Sequence, residues 1–476
     1  MLLSAVVVNT TVDSIYPPFT GIVSLRNAIQ TANSSSSPTT ITFDPKVFSS
    51  PQKIVLIQGT LTLNNAAGAS TTVIGPPAGV TIDGDAQGDV LDLRQGAVTL
   101  SGIMVTNAKG AGIAVYSAAS LNLSNAVISG NDSTGTNTDA GGIGCYSSEV
   151  TATDVTVSGN VAAGAGGGIE NDNGTLVLGD CTISGNNSAA EGGGIYCQSG
   201  ATTLSNCTVY GNTVTSSGPG SMGGGIWAGG NLTLTNCTIV GNSASAVGGV
   251  ASPGQFTATI DNSIIARNQL KGAAVSAADV SGSFNSLGYN LIGETDGSTG
   301  WNAYDLTGTA SKPLDPKLSP LGNYGGPTQS MALLPGSPAL NAGWNALAVD
   351  ANDNSLTTDQ RGLPRVYGSS VDIGAYESQP PALAGDVNHD GTVNLSDLLL
   401  LTRDFGKTTP MYEGGDLDRD GSVGLSDFLI LVRNFGKSAT SAATAVAFPT
   451  RAQPQPTVPR AVSRRTPLGK ELFARA

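Results

Sequence analysis

Gly167-Gly168-Ile169-Glu170-Asn171-Asp172-Asn173-Gly174-Thr175-Leu176-Val177-Leu178-Gly179-Asp180-Cys181-Thr182-Ile183-Ser184-Gly185-Asn186 is one copy of a phrase that recurs between Gly110 and Asn268. Its isoleucine returns every 26 residues, at Ile143, Ile169 and Ile195. Asn160, Asn186 and Asn212 keep that step, and so does the polar column Asp154, Asp180 and Asn206. The column then slips to Asn236, a step of 30, because a Ser/Gly/Pro-rich insertion at 214–221 delays the next Gly-Gly-Ile to Ile226. A fixed period in the twenties is the mark of a solenoid, in which each unit buries its apolar face against its neighbours. The units are β-type: Thr175–Leu178 and Cys181–Ile183 alternate apolar and polar residues, and Gly and Asn fall where the chain turns with positive φ. Stacking such units about 4.8 Å apart predicts a right-handed parallel β-helix. The Asn column at 160, 186, 212 and 242 reads as a hydrogen-bonded turn ladder.

Composition narrows the function. Of 476 residues only 12% are charged, and the net charge of −13 excludes a nucleic-acid binder, which needs clustered Lys and Arg. No apolar run is long enough for a transmembrane segment. The start, Met1-Leu2-Leu3-Ser4-Ala5-Val6-Val7-Val8, lacks a basic flank and a cleavage site, so it reads as a first strand with no evident export signal. Cys181, Cys207 and Cys237 share one column, and Cys145 and Cys197 share another. Side chains in a ladder run parallel and fit a disulfide poorly, so all five are expected to be free, buried small hydrophobes.

The chain divides into an N-terminal cap with first coils (1–100), β-helix repeats (101–290), a C-terminal part of the β-helix (291–378), a linker (379–384), a two-loop module (385–437) and a flexible tail (438–476). In the cap, Leu25, Ala28, Ile29 and Ala32 form a helical stripe suited to covering the open end of a solenoid. Residues 314–377 carry Asn323-Tyr324-Gly325-Gly326-Pro327-Thr328, Leu334-Pro335-Gly336-Ser337-Pro338-Ala339-Leu340-Asn341, Asp359-Gln360-Arg361-Gly362 and Val371-Asp372-Ile373-Gly374-Ala375-Tyr376-Glu377. Together with Ser24-Leu25-Arg26 and Ala28-Ile29, these motifs resemble the choice-of-anchor Q family of bacterial surface β-helix proteins. That resemblance implies export to the cell surface or medium and names no reaction.

The module at 385–437 holds one unit twice, 30 residues apart. Asp386-x-Asn388-x-Asp390-Gly391-Thr392-Val393-Asn394-x-x-Asp397 is followed by Asp416-x-Asp418-x-Asp420-Gly421-Ser422-Val423-Gly424-x-x-Asp427. Calcium takes hard oxygen ligands at loop positions 1, 3, 5, 7, 9 and 12, with Gly at 6 for the sharp turn. Asp386, Asn388, Asp390, Thr392, Asn394 and Asp397 are the candidate ligands of the first loop. Asp416, Asp418, Asp420, Ser422 and Asp427 are those of the second, where Gly424 supplies no side chain at position 9. Each loop runs into a predicted helix, 395–405 and 425–435, with Gly406 and Gly436 as C-terminal caps. Loop-then-helix, duplicated in about 50 residues, resembles a type I dockerin. The resemblance implies two Ca2+ ions and a cohesin-type partner. It places partner contacts on Leu395, Ser396, Arg403, Lys407, Leu425, Ser426, Arg433 and Lys437. His389 occupies a non-ligating loop position.

Dockerins accompany carbohydrate-active enzymes, and the resemblance therefore raises a polysaccharide role. No Lys, Arg or His lies between Lys109 and Arg267, so the regular coils offer no base for an eliminative lyase. A hydrolase needs only two carboxylates, and Glu170, Asp172 and Glu191 beside the Gly-Gly-Ile turns are the candidates. Three readings follow: a tethered, non-catalytic extracellular or cell-surface β-helix protein linked to polysaccharide, a dockerin-bearing glycoside hydrolase, and an adhesin.

Overall fold

The computed structural model describes residues 4–17, 20–135, 140–218, 220–254, 256–271, 278–379, 383–387, 392–407, 415–418 and 422–438. It divides into two compact units, one ending at Gln379 and the other beginning at Pro380.

The first unit is a parallel solenoid. Ile143, Ile169, Ile195, Ile226 and Val250 stand in register on successive strands, and every named strand pair is parallel. The 26-residue step is thus the length of one coil. Each regular coil has strands such as Ile169–Asp172, Gly174–Gly179 and Thr182–Ser184, with the two-residue strand Asn187–Ser188 on a separate small sheet. Apolar residues alternate inward along them, and Ile169, Leu176, Leu178 and Ile183 are buried. Asp154, Asp180, Asn206, Asn236 and Asn262 adopt φ between 45° and 58°, the left-handed corner that Asn and Asp tolerate best. The cysteine columns are buried and free.

The Asn ladder is longer than the repeat showed. Asn131, Asn160, Asn186, Asn212, Asn242 and Asn268 each pass an Nδ2–H bond of 2.9–3.0 Å to the next Oδ1, and the last acceptor is Asp279. Each Oδ1 from Asn160 to Asn268 also accepts the preceding asparagine's backbone N–H. The second Nδ2–H of each donates to a backbone carbonyl of the previous coil, for example Asn212 to Ile183 at 2.9 Å. A buried amide is tolerated because all of its valences are used.

Helix α1 (Leu25–Ser34) buries Leu25, Ala28, Ile29 and Ala32, as the stripe predicted, against the first strands. Ser24 caps it by accepting Asn27 N–H at 3.0 Å. Arg26 grips Asp13 with two bonds of 2.7 and 2.9 Å and reaches the carbonyls of Gly59 and Thr60. The Ser-Leu-Arg motif is therefore a cap, a core contact and a staple.

The structure differs from the expectation for 291–378. Stacked strands end at Leu306–Thr307, and residues 314–377 add no further coil. They fold back along the outer face of earlier coils as a strap. Leu318, Met331, Ala339 and Ile373 cover outward-facing Val240, Ile264, Ala266 and Leu291, forming a second core outside the solenoid. This explains why Thr238–Val240 and Ile264–Ala266 break the alternation: both of their faces are buried. Gln360 plugs a polar seam, donating to Thr182 Oγ1 and Thr328 Oγ1 at 3.0 Å and accepting from Thr208 Oγ1 at 2.6 Å. Arg365 is fully buried, 3.3 Å from Glu377, and donates to the Asp372 carbonyl at 2.7 Å. Arg361 is fixed by Asp359 and stacks over Tyr376 at 3.6 Å. The signature motifs of 359–377 are thus the strap's fastening.

Candidate calcium centre and docking surface

The second unit is built from two halves related by the 30-residue step. Helix α2 (Leu395–Asp404) and helix α3 (Leu425–Asn434) each end at a glycine with φ near 82°, Gly406 and Gly436, as expected. Both are one residue shorter than the sequence suggested, because Phe405 and Phe435 leave helical geometry to enter those turns.

The halves are tied reciprocally. Val393 N–H donates to Lys437 O and Gly436 N–H to Val393 O, while Val423 N–H donates to Lys407 O and Gly406 N–H to Val423 O, all at 2.7–3.0 Å. Val393, Leu401, Val423 and Leu431 form the small core. Gly385 and Gly415, at φ 104° and 100°, back onto Leu431 and Leu401 of the opposite half, where a Cβ would come within 2.9 and 3.2 Å of backbone.

At the helix N-termini the position-12 aspartates face inward and are fully buried. Asp397 accepts Val387 N–H at 2.7 Å and Asn394 N–H at 2.8 Å. Asp427 accepts Leu417, Asp418 and Gly424 N–H at 2.6, 3.0 and 2.7 Å. In the second loop, carboxylate oxygens of Asp416, Asp418 and Asp427 lie within 4.8 Å of one another, two of the three residues being buried. Three like charges at that separation repel strongly unless a cation sits among them, so the donor set fits a hard divalent ion. In the first loop Asp386 and Asp397 are buried in the equivalent places. Asn388, Asp390 and Asp420, like His389, lie outside the described residues. Asn394 turns to the helix instead of the loop centre: its Oδ1 accepts Ser396 N–H and its Nδ2 donates to Thr392 Oγ1, both at 2.7 Å.

A family model described as "Dockerin type I domain" matches residues 384–436, and one described as "Right handed beta helix region" matches 78–230 and 141–303. The chain is a right-handed parallel β-helix carrying a type I dockerin. No curated protein matches it. Among solved structures it is similar to "Crystal structure of pectate lyase Pel9A", with TM-score 0.50 and 16% identity over 79% of this chain and 98% of that one. A weaker likeness, TM-score 0.22 and 12% identity over 60% of this chain and 64% of the other, is to "Crystal structure of Dettilon tailspike protein (gp208)". The first of these likenesses concerns fold alone.

Type I dockerins bind calcium and pair with cohesins. The residues assigned here to partner contact are all exposed, Leu395 at 60% and Leu425 at 65% among them. Sequence reasoning missed further apolar side chains on the same surface, Leu399, Leu429 and Val432, together with Phe405 and Phe435, each 44–62% exposed. Helical spacing from Leu395 and Leu425 was the available signal. Among the described residues no helix is long and apolar enough to cross a membrane.

The three candidate carboxylates of the β-helix are placed unequally. Glu170 and Asp172 are on a strand, not a turn, two residues apart and so on one face. Glu170 is 3% exposed and accepts a 3.2 Å bond from Tyr146 Oη, whose phenol is pushed up by burial and by the Glu170 charge. Glu191 lies in the loop before the next coil and is partly exposed, with its carboxyl raised by burial. Nothing in the repeat flagged the first coils, where Asp89, raised to about 6 by burial and by Asp92, neighbours the Asp92–Arg94 pair. Arg94 in turn caps the stacked Tyr116–Tyr146 rings. An open groove of about 560 Å³ beside this stack is lined by Gln95, Ser117, Ser120 and Glu149 and by none of the three candidates.

Proposed function

We propose that this protein is an extracellular or cell-surface β-helix module held on a cohesin-bearing partner by its dockerin, with two calcium ions ordering the two loops. The observation that carries the reading is the convergence of Asp416, Asp418 and Asp427 at the N-terminus of α3. Asp386, Asp397 and the Thr392 and Ser422 carbonyls are the matching groups. When bound, calcium neutralises the crowded carboxylates. Asp397 and Asp427 tie each loop to its helix through backbone N–H bonds, which presents α2 and α3 to the partner as rigid faces. Calorimetric titration of calcium into the full chain, with and without a type I cohesin domain, is the test. Two binding events, and cohesin capture abolished by chelator, are expected. Absence of calcium binding at millimolar concentration refutes the tether.

The β-helix is the tethered cargo, and its fold supports a place beside polysaccharide. The absence of Lys, Arg and His from 110–266 favours a neutral polymer over a polyuronate, whose carboxylates need cations. A glycan-binding and cleavage screen with Glu170→Gln, Asp172→Asn and Glu191→Gln separates binding from hydrolysis.

A further inference from the structure

The two halves of the dockerin repeat are alike in backbone and unlike in surface charge. Arg403 and Lys407 at the end of α2 both bond Asp404, at 2.8 and 2.9 Å. The residue 30 positions on is Asn434, whose Oδ1 accepts from Lys437 Nζ at 2.7 Å and brings no charge. Among the described residues, the end of α2 thus carries two cations and one anion, and the end of α3 carries Arg433 and Lys437 without an ion pair. The apolar stripe differs in the same direction. On α2 the stripe Leu395–Leu399 meets Thr402, whose hydroxyl turns back to the Leu398 and Leu399 carbonyls. On α3 Leu425 and Leu429 continue to Val432, 49% exposed.

We propose that the dockerin binds its partner chiefly through α3, because that face alone joins an unbroken apolar stripe to an unneutralised cationic end. The occupant it fits is a folded domain presenting an apolar patch rimmed by carboxylates. This rests on the cohesin reading and names the orientation within it. The chain's own tail is a poor occupant, since Arg451, Arg460, Arg464, Arg465, Lys470 and Arg475 accompany one acid, Glu471. Like charge across such a contact disfavours it, whereas opposite charge at the rim raises the association rate and makes binding salt-dependent.

The test uses the full chain in calcium against immobilised type I cohesin domains at low and high salt. Arg433→Ala with Lys437→Ala should weaken binding about tenfold and flatten the salt dependence, while Arg403→Ala with Lys407→Ala should change it less than about threefold. Asp404→Asn releases the cations of α2, so adding it to the Arg433/Lys437 variant should restore part of the lost affinity. Calcium affinity, measured in parallel, should stay at the wild-type value in every variant. Equal losses from both double variants, or a larger loss from the α2 pair, overturn the assignment, as does a calcium-dependent dimer of the chain through this face. If wild type captures no cohesin, the tether reading falls and this inference with it.

Discussion

Replacing Asn212 by alanine tests whether the asparagine ladder holds the coils in register. Asn212 is fully buried and its amide makes four side-chain bonds, each 2.9 Å: to Ile183 O, to Asn242 Oδ1, and from Asn186 N and Nδ2. Two of the four partners keep another bond after truncation, since Asn186 Nδ2 still reaches Val157 O and Asn242 Oδ1 still accepts Asn212 N. Asn186 N–H loses its acceptor in a dry interior, while Ile183 O, on a strand paired with both neighbouring coils, loses only its amide donor. A buried orphan costs about 1–3 kcal/mol, so with the vacated volume the loss is about 3–5 kcal/mol. For a solenoid of this length the unfolding entropy is on the order of 0.8 kcal/mol per degree, which converts the loss to a fall in Tm of about 4–6 °C. Differential scanning calorimetry reads it against Asn231→Ala, an exposed strand position expected to shift the transition by less than about 1 °C. Asn212→Asp keeps the shape but removes both donors, and acid should partly rescue it by returning a proton. If Asn212→Ala melts with Asn231→Ala, the ladder is decoration and the register is set by the apolar core alone.

Burial pushes Asp180 and Asp279 up to about 7 and Asp261 to about 8, while the unfolded chain ionises near 4. The folded state therefore holds more protons, and stability should fall as pH rises from about 4 to 8 and level off above, at about 1.4 kcal/mol per unit of separation for each group. Asp261→Asn should flatten that slope in a pH series of melting curves, and an unchanged slope would refute the assignment. Arg365→Met strips the buried counter-charge from Glu377 and should loosen the strap by about 3–5 kcal/mol, read as early proteolysis within 314–377, whereas wild-type resistance would deny the fastening role. Asp427→Ala removes the group that joins the second loop to α3 and should abolish one of two calcium events in calorimetry while sparing the solenoid's melting. Loss of both events would show the two halves to be a single cooperative site.

The solenoid was legible because its physics repeats. Ile143, Ile169 and Ile195 meet the same neighbours one coil away, so one residue choice is written over and over, and the Asn column announces its own bond partners. The strap was not legible in that way. Gln360 answers Thr182 and Thr208 from more than 150 residues away, and nothing local marks a threonine that will receive a glutamine from outside the coil. The apolar-on-both-faces triplets at 238–240 and 264–266 were the trace it left. The loop-helix repeat was legible because a metal dictates ligand spacing, and of its candidate ligands the structure brings Asp416, Asp418 and Asp427 together. The Asp404–Asn434 difference went unread, since a loop consensus says nothing about the far end of its helix.

These halves of the chain solve the same problem with different means. A coil cannot bury its core alone, so the β-helix satisfies it along the axis, through the Asn ladder and the inward isoleucines, and laterally through the strap. A loop holding crowded carboxylates cannot close alone either, and on the proposed reading the dockerin leaves that closure to an ion. Stability that is internal in the first unit is external in the second. Chelation should accordingly release the protein from its partner while leaving the β-helix folded, which is the behaviour a detachable module requires.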